Sequence, residues 1–133
     1  APPVLADRGL AAAVSAVAAR ATVTTSVDVA LPDGARPAAA VENAAYFVVT
    51  EALANVAKHA EASTAHVAVT TEVREDERVL LVEVRDDGVG GAALAKGHGL
   101  AGLADRVEGL GGGLALTSPA GGPTVVTATL PWS

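Results

Sequence analysis

Cysteine and methionine are both absent from these 133 residues, and the aromatic residues number three: Tyr46, Phe47 and Trp132. Without cysteine neither a disulfide nor a thiolate metal site can form, and the redox compartment is left open. Position 1 is Ala1, so the chain is expected to be processed or cut from something longer. Pro2, Pro3 and Asp7 interrupt any signal-peptide core there. No apolar run reaches the roughly 20 residues needed to cross a bilayer as a helix. Positive charge is scarce, with 9 Lys and Arg against 15 Asp and Glu, and a net charge of −6. That balance argues against a nucleic-acid partner or a membrane surface, both of which favour a basic face.

What is present is small and apolar. Half the residues are hydrophobic, so with few aromatics the core is expected to consist of Val, Leu and Ala, as in a sheet covered by Ala-rich helices. The length suits one domain, residues 1–133, able to bury roughly two-thirds of its unfolded surface. Residues 9–20 carry Leu10, Val14 and Val17 on one helical stripe. Residues 22–31 are rich in β-branched types and end at Pro32-Asp33-Gly34, a strand followed by a turn. From Pro37 to about residue 60 no Gly or Pro intervenes, and Val41, Ala45, Val48, Val49, Ala52, Leu53, Val56 and Ala60 have helical spacing. This is the longest expected helix, and Glu51, Asn55 and Lys58 fall on one of its faces with His59 adjacent.

Residues 64–72 alternate as a half-buried strand, and the charged turn Arg74 to Arg78 leads into the buried strand 79–84, with Asp86 at its tip. The two strands are expected to pair antiparallel. Leu100 to Leu110 has helical spacing, Gly109 to Gly113 supplies a stop, and 114–118 and 124–130 read as strands. The order α β α β β α β β suggests an α/β sandwich with one helix-covered sheet face.

From the tip of the fifth of these elements into the third helix runs Asp86-Asp-Gly-Val-Gly-Gly-Ala-Ala-Leu-Ala-Lys-Gly-His-Gly-Leu-Ala-Gly102. A strand that passes through glycines to a helix start exposes backbone N–H groups to phosphate, and the helix end adds partial positive charge. A buried carboxylate can accept from an exocyclic base amine, an Asn amide oxygen is a hard ligand suited to Mg²⁺, and a Lys supplies counter-charge to phosphate. Both lysines, Lys58 and Lys96, fall within these segments. A flexible surface loop beside a solvated helix face is the alternative that each segment alone leaves open.

Taken together, the segments carry a family resemblance. Glu51-Ala-Leu-Ala-Asn55-Val-Ala-Lys58-His59-Ala60 resembles the N box of sensor histidine kinases, Asp86-Asp-Gly88-Val-Gly90 their G1 box, and Gly97-His98-Gly99-Leu100-Ala-Gly102-Leu103 their G2 box. The Lys-His-Ala and Gly-His-Gly-Leu runs are most similar to the class that partners NarL-type regulators. The resemblance implies the Bergerat ATP-binding fold, a two-layer α/β sandwich whose mixed, mostly antiparallel sheet has one face covered by helices. It implies a catalytic domain that moves the γ-phosphoryl of ATP to a histidine elsewhere, with ATP and Mg²⁺ as cofactors. A serine-directed anti-sigma kinase and a non-catalytic nucleotide-binding module are the alternatives.

Residue by residue, the resemblance implies that Asp86 binds the adenine amine and Asn55 binds Mg²⁺. Lys58 and His59 would face the phosphates, Gly88 and Gly90 the base and sugar, and Lys96, Gly97, His98, Gly99 and Leu100 the lid over the phosphates. Glu51 and Asn55 are its catalytic residues. A Glu at this place activates water in gyrase-like relatives, whereas a kinase needs no hydrolytic base, so Glu51 would orient groups. Residues 89–98 are expected to be the most mobile without nucleotide and to close over it. His66, outside the motifs, is expected to be a surface or satisfied sheet residue. The final strand opens Gly122-Pro123-Thr124 where Gly-Thr is usual. The implied partners are the phosphoacceptor helical domain of the same kinase, with residues 1–8 a remnant of the connection to it, and a response regulator. The whole kinase would be a homodimer, this piece a monomer, and its place the cytoplasmic portion of a kinase that can be membrane-bound.

Overall fold

The computed structural model describes residues 3–32, 34–59, 61–89 and 100–133, and of Asp7 and His59 the backbone alone. The elements are α1 (Pro3–Arg8), α2 (Leu10–Arg20), β1 (Thr24–Val29), α3 (Ala39–His59), β2 (Thr64–Arg74), β3 (Glu77–Asp86), α4 (Leu100–Gly109), β4 (Gly113–Thr117) and β5 (Thr124–Pro131). Every element expected from sequence is present with shifted ends, and α1 is additional. Its six residues are too few for a readable apolar period, yet Pro3 suits a first helical position and Leu5 is 1% exposed. The chain turns from α1 into α2 at Gly9, whose φ of 87° lies in the left-handed region open to glycine.

The five strands form one sheet in the order β1-β2-β3-β5-β4. β1 and β2 run parallel, joined through α3, and the other pairings are antiparallel. The mixed, mostly antiparallel sheet implied by the resemblance is therefore the observed one. Between β2 and β3 the loop narrows to Glu75 and Asp76, with φ of 51° and 65°. Two left-handed residues in a row make the turn whose twist matches that of the strands, so the charged segment extends both strands rather than forming a longer loop.

One face of the sheet is covered. Val67 and Val69 of β2, Leu80, Val82 and Val84 of β3, and Val126, Ala128 and Leu130 of β5 pack under Val41, Ala45, Val48, Val49, Ala52 and Val56 of α3 and Leu100, Leu103 and Val107 of α4. Each such Leu or Val removed from water stabilises by roughly 1.5–3 kcal/mol. The other face carries polar residues, including Ser26, His66, Arg85 and Thr127, together with the half-buried Leu81 and Val125. His66 Nδ1 lies 2.6 Å from Ser26 Oγ across the parallel pair, the satisfied sheet histidine that was expected.

At the end of α4 the chain reverses at Gly111, φ 88°, and the Gly112 N–H donates to the Val107 carbonyl at 3.0 Å. Gly112 then passes so close to β5 that a Cβ there would lie 2.1 Å from the Thr129 carbonyl oxygen. At the other end of α3, Arg36 pairs with the buried Glu42 at 2.7 Å and donates to the Leu5 carbonyl at 3.1 Å, tying α1 to the first turn of α3.

Candidate functional site

The sheet has a chemically distinct end, where β3 finishes at Asp86. Asp86 continues the inward phase of Leu80, Val82 and Val84, so its carboxylate faces the helix layer and is only 3% exposed. Its register partners are Ala65 on β2 and Thr124 on β5. Thr124 is likewise buried, and its side chain lies on the same face because directly paired residues point the same way. The Gly88 N–H donates to Asp86 Oδ1 at 2.7 Å, a local turn that Asp is suited to close.

Burial raises the Asp86 pKa above the ordinary carboxylate value, because desolvation penalises the charged form. Hydrogen bonds from the backbone of Gly88 and Thr124 work against that rise, and the neighbouring Asp87 charge adds to it. Asp87 behaves oppositely. Its Oδ1 accepts from the N–H groups of Thr64 at 3.0 Å and Ser63 at 2.8 Å, and these bonds hold its pKa below the usual value. One acid is thus exposed and structural, pinning the start of β2 to the tip of β3, while the other is buried with acceptor capacity facing the helices.

Both flanking helices bring an end here. α3 runs antiparallel to the parallel pair it joins, so its C-terminal turn lies at the end where β2 begins and Asp86 sits. Asn55 is one turn from that terminus, about 6 Å along the axis. β3 and β4 run in the same direction, each antiparallel to β5, so α4, which connects them, starts at this end with the buried Leu100. The start of α4 and the buried Asp86 carboxylate therefore lie at the same end of the sheet.

The row on α3 is not a solvated face. Glu51 and Asn55 are half-buried beside Ala52 and Val56, and Lys58 is exposed on the last turn. Asn55 Nδ2 is, among the described residues, the one buried side-chain nitrogen or oxygen without a hydrogen-bond partner. A buried amide left unpaired costs about 1–3 kcal/mol, and such groups in native proteins commonly await a ligand. Because the amide can turn over to present its oxygen instead, Asn55 fits a hard cation such as Mg²⁺.

Asn55, Asp86, Gly88 and Leu100 are thus brought to one end of the sheet, with Lys58 at its rim and Glu51 one turn further along α3. Gly90, Lys96, Gly97, His98, Gly99, the His59 side chain and the expected lid lie outside the described residues. Ser118 was missed in the sequence: its Oγ is 2.6 Å from Thr124 Oγ1. Nothing local marks it, since the link depends on how β4 pairs with β5. Thr124 keeps its place beside Asp86 despite the preceding Pro123, because Pro123 precedes the first ladder pair and its missing N–H interrupts nothing.

A helix-covered mixed sheet with a buried acid at a strand tip and two helix ends beside it is the arrangement of an ATP-binding α/β sandwich. Residues 40–133 match the family model described as histidine kinase-, DNA gyrase B- and HSP90-like ATPase, and the chain belongs to this family as an ATP-binding domain of the kind found in sensor histidine kinases. It is 35% identical over 78 residues to the sensor histidine kinase YxjM of Bacillus subtilis, covering 59% of this chain and 18% of that protein. It is 41% identical over 89 residues to the signal transduction histidine-protein kinase/phosphatase UhpB of Salmonella typhimurium, covering 65% of this chain and 16% of that one. The chain thus spans less than a fifth of either relative. Among solved structures, the histidine kinase domain of the Erythrobacter litoralis EL346 blue-light activated histidine kinase superposes with a TM-score of 0.68 at 24% identity, over 93% of this chain and 63% of that one. The histidine kinase AdeS of Acinetobacter baumannii gives 0.61 at 15% identity, over 93% and 61%.

Proposed function

We propose that this domain supplies the catalytic half of a two-component histidine kinase, moving the γ-phosphoryl group of ATP to a histidine on a separate helical dimerisation domain, from which a response regulator takes it. The observation that carries the reading is the pairing of a buried carboxylate, Asp86, with an unpaired buried amide, Asn55, at the same end of the sheet. A purine amine would pair with the Asp86 carboxylate, and the Asn55 amide, turned to present its oxygen, would hold a phosphate-bound cation.

In this reading Asp86 accepts a hydrogen bond from the adenine amine, and Gly88 and Gly90 leave room for base and sugar. Asn55 holds Mg²⁺ through its amide oxygen, and Lys58 with His59 faces the phosphates. Lys96 and the backbone of Gly97, His98, Gly99 and Leu100 close over them at the start of α4. When bound, Mg²⁺ would neutralise charge on the phosphate oxygens. Glu51 orients groups near the γ-phosphate, since transfer to an imidazole nitrogen needs a placed acceptor and no activated water. The P–O bond to the β-phosphate breaks, a P–N bond forms, and ADP leaves. Residues 1–133 act as one domain, with α1 on the side that continues toward the helical domain, and the site draws on cytoplasmic ATP.

The test is labelled ATP with this chain and a separately purified phosphoacceptor helical domain of a histidine kinase. Label on that domain that survives alkali and is lost in acid is the expected result, as befits a phosphoramidate. Acid-stable label would point to serine transfer, and tight ATP binding without transfer to a non-catalytic module.

A further inference from the structure

On the helix-covered face at the sheet's end, four residues form a row, three on strands and Ser118 just past the end of β4. Ala65, Asp86 and Thr124 are successive register partners, and Ser118 follows Thr117, which pairs with Val125. The Ser118 and Thr124 hydroxyls are 2.6 Å apart. Thr124 is 9% exposed, so its hydroxyl is shielded from bulk water. The loop between Ser118 and Thr124 is tied to the segment after Asp86, because the Gly121 N–H donates to the Val89 carbonyl at 2.7 Å. A hydroxyl hydrogen normally rotates to suit its surroundings and so carries little directional information. Here a second hydroxyl lies within hydrogen-bond distance and can orient it when Ser118 is the donor.

We propose that Ser118 is a positioning residue for base recognition, holding the Thr124 hydroxyl so that it donates to the ring nitrogen beside the exocyclic amine of adenine. The inference rests on the reading of Asp86 as the acceptor for that amine. When Ser118 donates to Thr124 Oγ1, the Thr124 proton is turned away from Ser118, along the row toward the space beside Asp86. The pair then presents an acceptor at Asp86 and a donor at Thr124 on adjacent strands. Adenine offers the complement, an amine that donates next to a ring nitrogen that accepts. Guanine offers the reverse, an oxygen that accepts next to a ring N–H that donates, and meets a mismatch at both positions. Ser118 thereby sharpens selection of adenine without touching the nucleotide.

Calorimetry with a non-hydrolysable ATP analogue and its 1-deaza counterpart, which lacks the ring nitrogen, decides the matter. Ser118→Ala should weaken the ATP analogue about three- to tenfold and leave the 1-deaza compound unchanged, while Ser118→Thr restores wild-type discrimination. Thr124→Val should reproduce the loss, and adding Ser118→Ala to it should cost nothing further, a cycle read on variants whose circular dichroism matches wild type. Equal weakening of both ligands, or of neither, would overturn the positioning role. Asp86→Asn in parallel separates the two layers: unchanged ATP affinity in that variant would remove the base reading and the Ser118 proposal with it, whereas loss there with a silent Ser118→Ala would remove the proposal alone.

Discussion

Replacing Asp86 by Asn should move binding and folding in different directions. The substitution keeps the shape of the side chain and an oxygen to accept the Gly88 N–H now 2.7 Å away. It removes the charge that burial disfavours. Because the folded pKa of Asp86 is raised, its stabilising contribution is complete below the unfolded value, about 3.9, and is lost as pH rises through the folded value. At neutral pH the buried carboxyl group therefore opposes folding, and Asp86→Asn should melt at or above the wild-type temperature. That advantage should vanish below about pH 4, where both states of the wild type are protonated. Nucleotide affinity should fall. A hydrogen bond to a charged acceptor contributes about 1.5–3 kcal/mol, so the dissociation constant for an ATP analogue should rise roughly 10- to 150-fold. Isothermal calorimetry and thermal melts followed by circular dichroism at pH 4 and 7 measure both quantities. A variant that melts well below wild type at pH 7 while its surviving fold binds ATP normally would show Asp86 to be a structural residue and refute the reasoning.

Asn55→Ala should abolish most of the Mg²⁺ enhancement of ATP binding without lowering stability, since the buried Nδ2 it removes has no partner among the described residues and an unpaired buried amide costs about 1–3 kcal/mol; metal titrations that overlay those of wild type would exclude it as a ligand. Gly112→Ala should destabilise by at least about 1–3 kcal/mol, read from urea unfolding, because the new methyl would meet the Thr129 carbonyl of a paired strand, 2.1 Å away. Asp87→Ala should lower the melting temperature at neutral pH and lose that effect in acid. The depressed pKa of Asp87 means that its contribution is present above the unfolded value and disappears as pH falls through the folded one.

Much of the architecture could be read along the chain because the determinants are local. The apolar run ending in Asp86-Asp87-Gly88 marks a buried strand with an acid at its tip, and that is where β3 ends. The unbroken stripe from Val41 to Val56 specifies α3, and every one of those apolar positions is buried in the core. The hairpin joining β2 to β3 needs only neighbouring segments, so its antiparallel pairing was legible too, although the two left-handed residues at its tip were not. In α1 the signal fails for another reason: six residues hold too few apolar positions to show a period, and only contact with the core explains Leu5.

Which strands would be neighbours was decided by the tertiary structure. β5 inserts between β3 and β4, and that order alone puts Thr124 beside Asp86 and Ser118 beside Thr124. A Thr in an alternating strand and a Ser before a Pro carry no mark of such a role in their own surroundings. The same holds for Asn55. Its spacing from Glu51 and Lys58 placed it on a helix face, but only the packing of α3 on the sheet turned that face into a half-buried rim with an amide left unpaired. Periodicity and burial preference along the chain determined the strands, the helices and the residue types available for chemistry. Register and strand order, which depend on pairings between segments far apart in the chain, determined which of those residues meet.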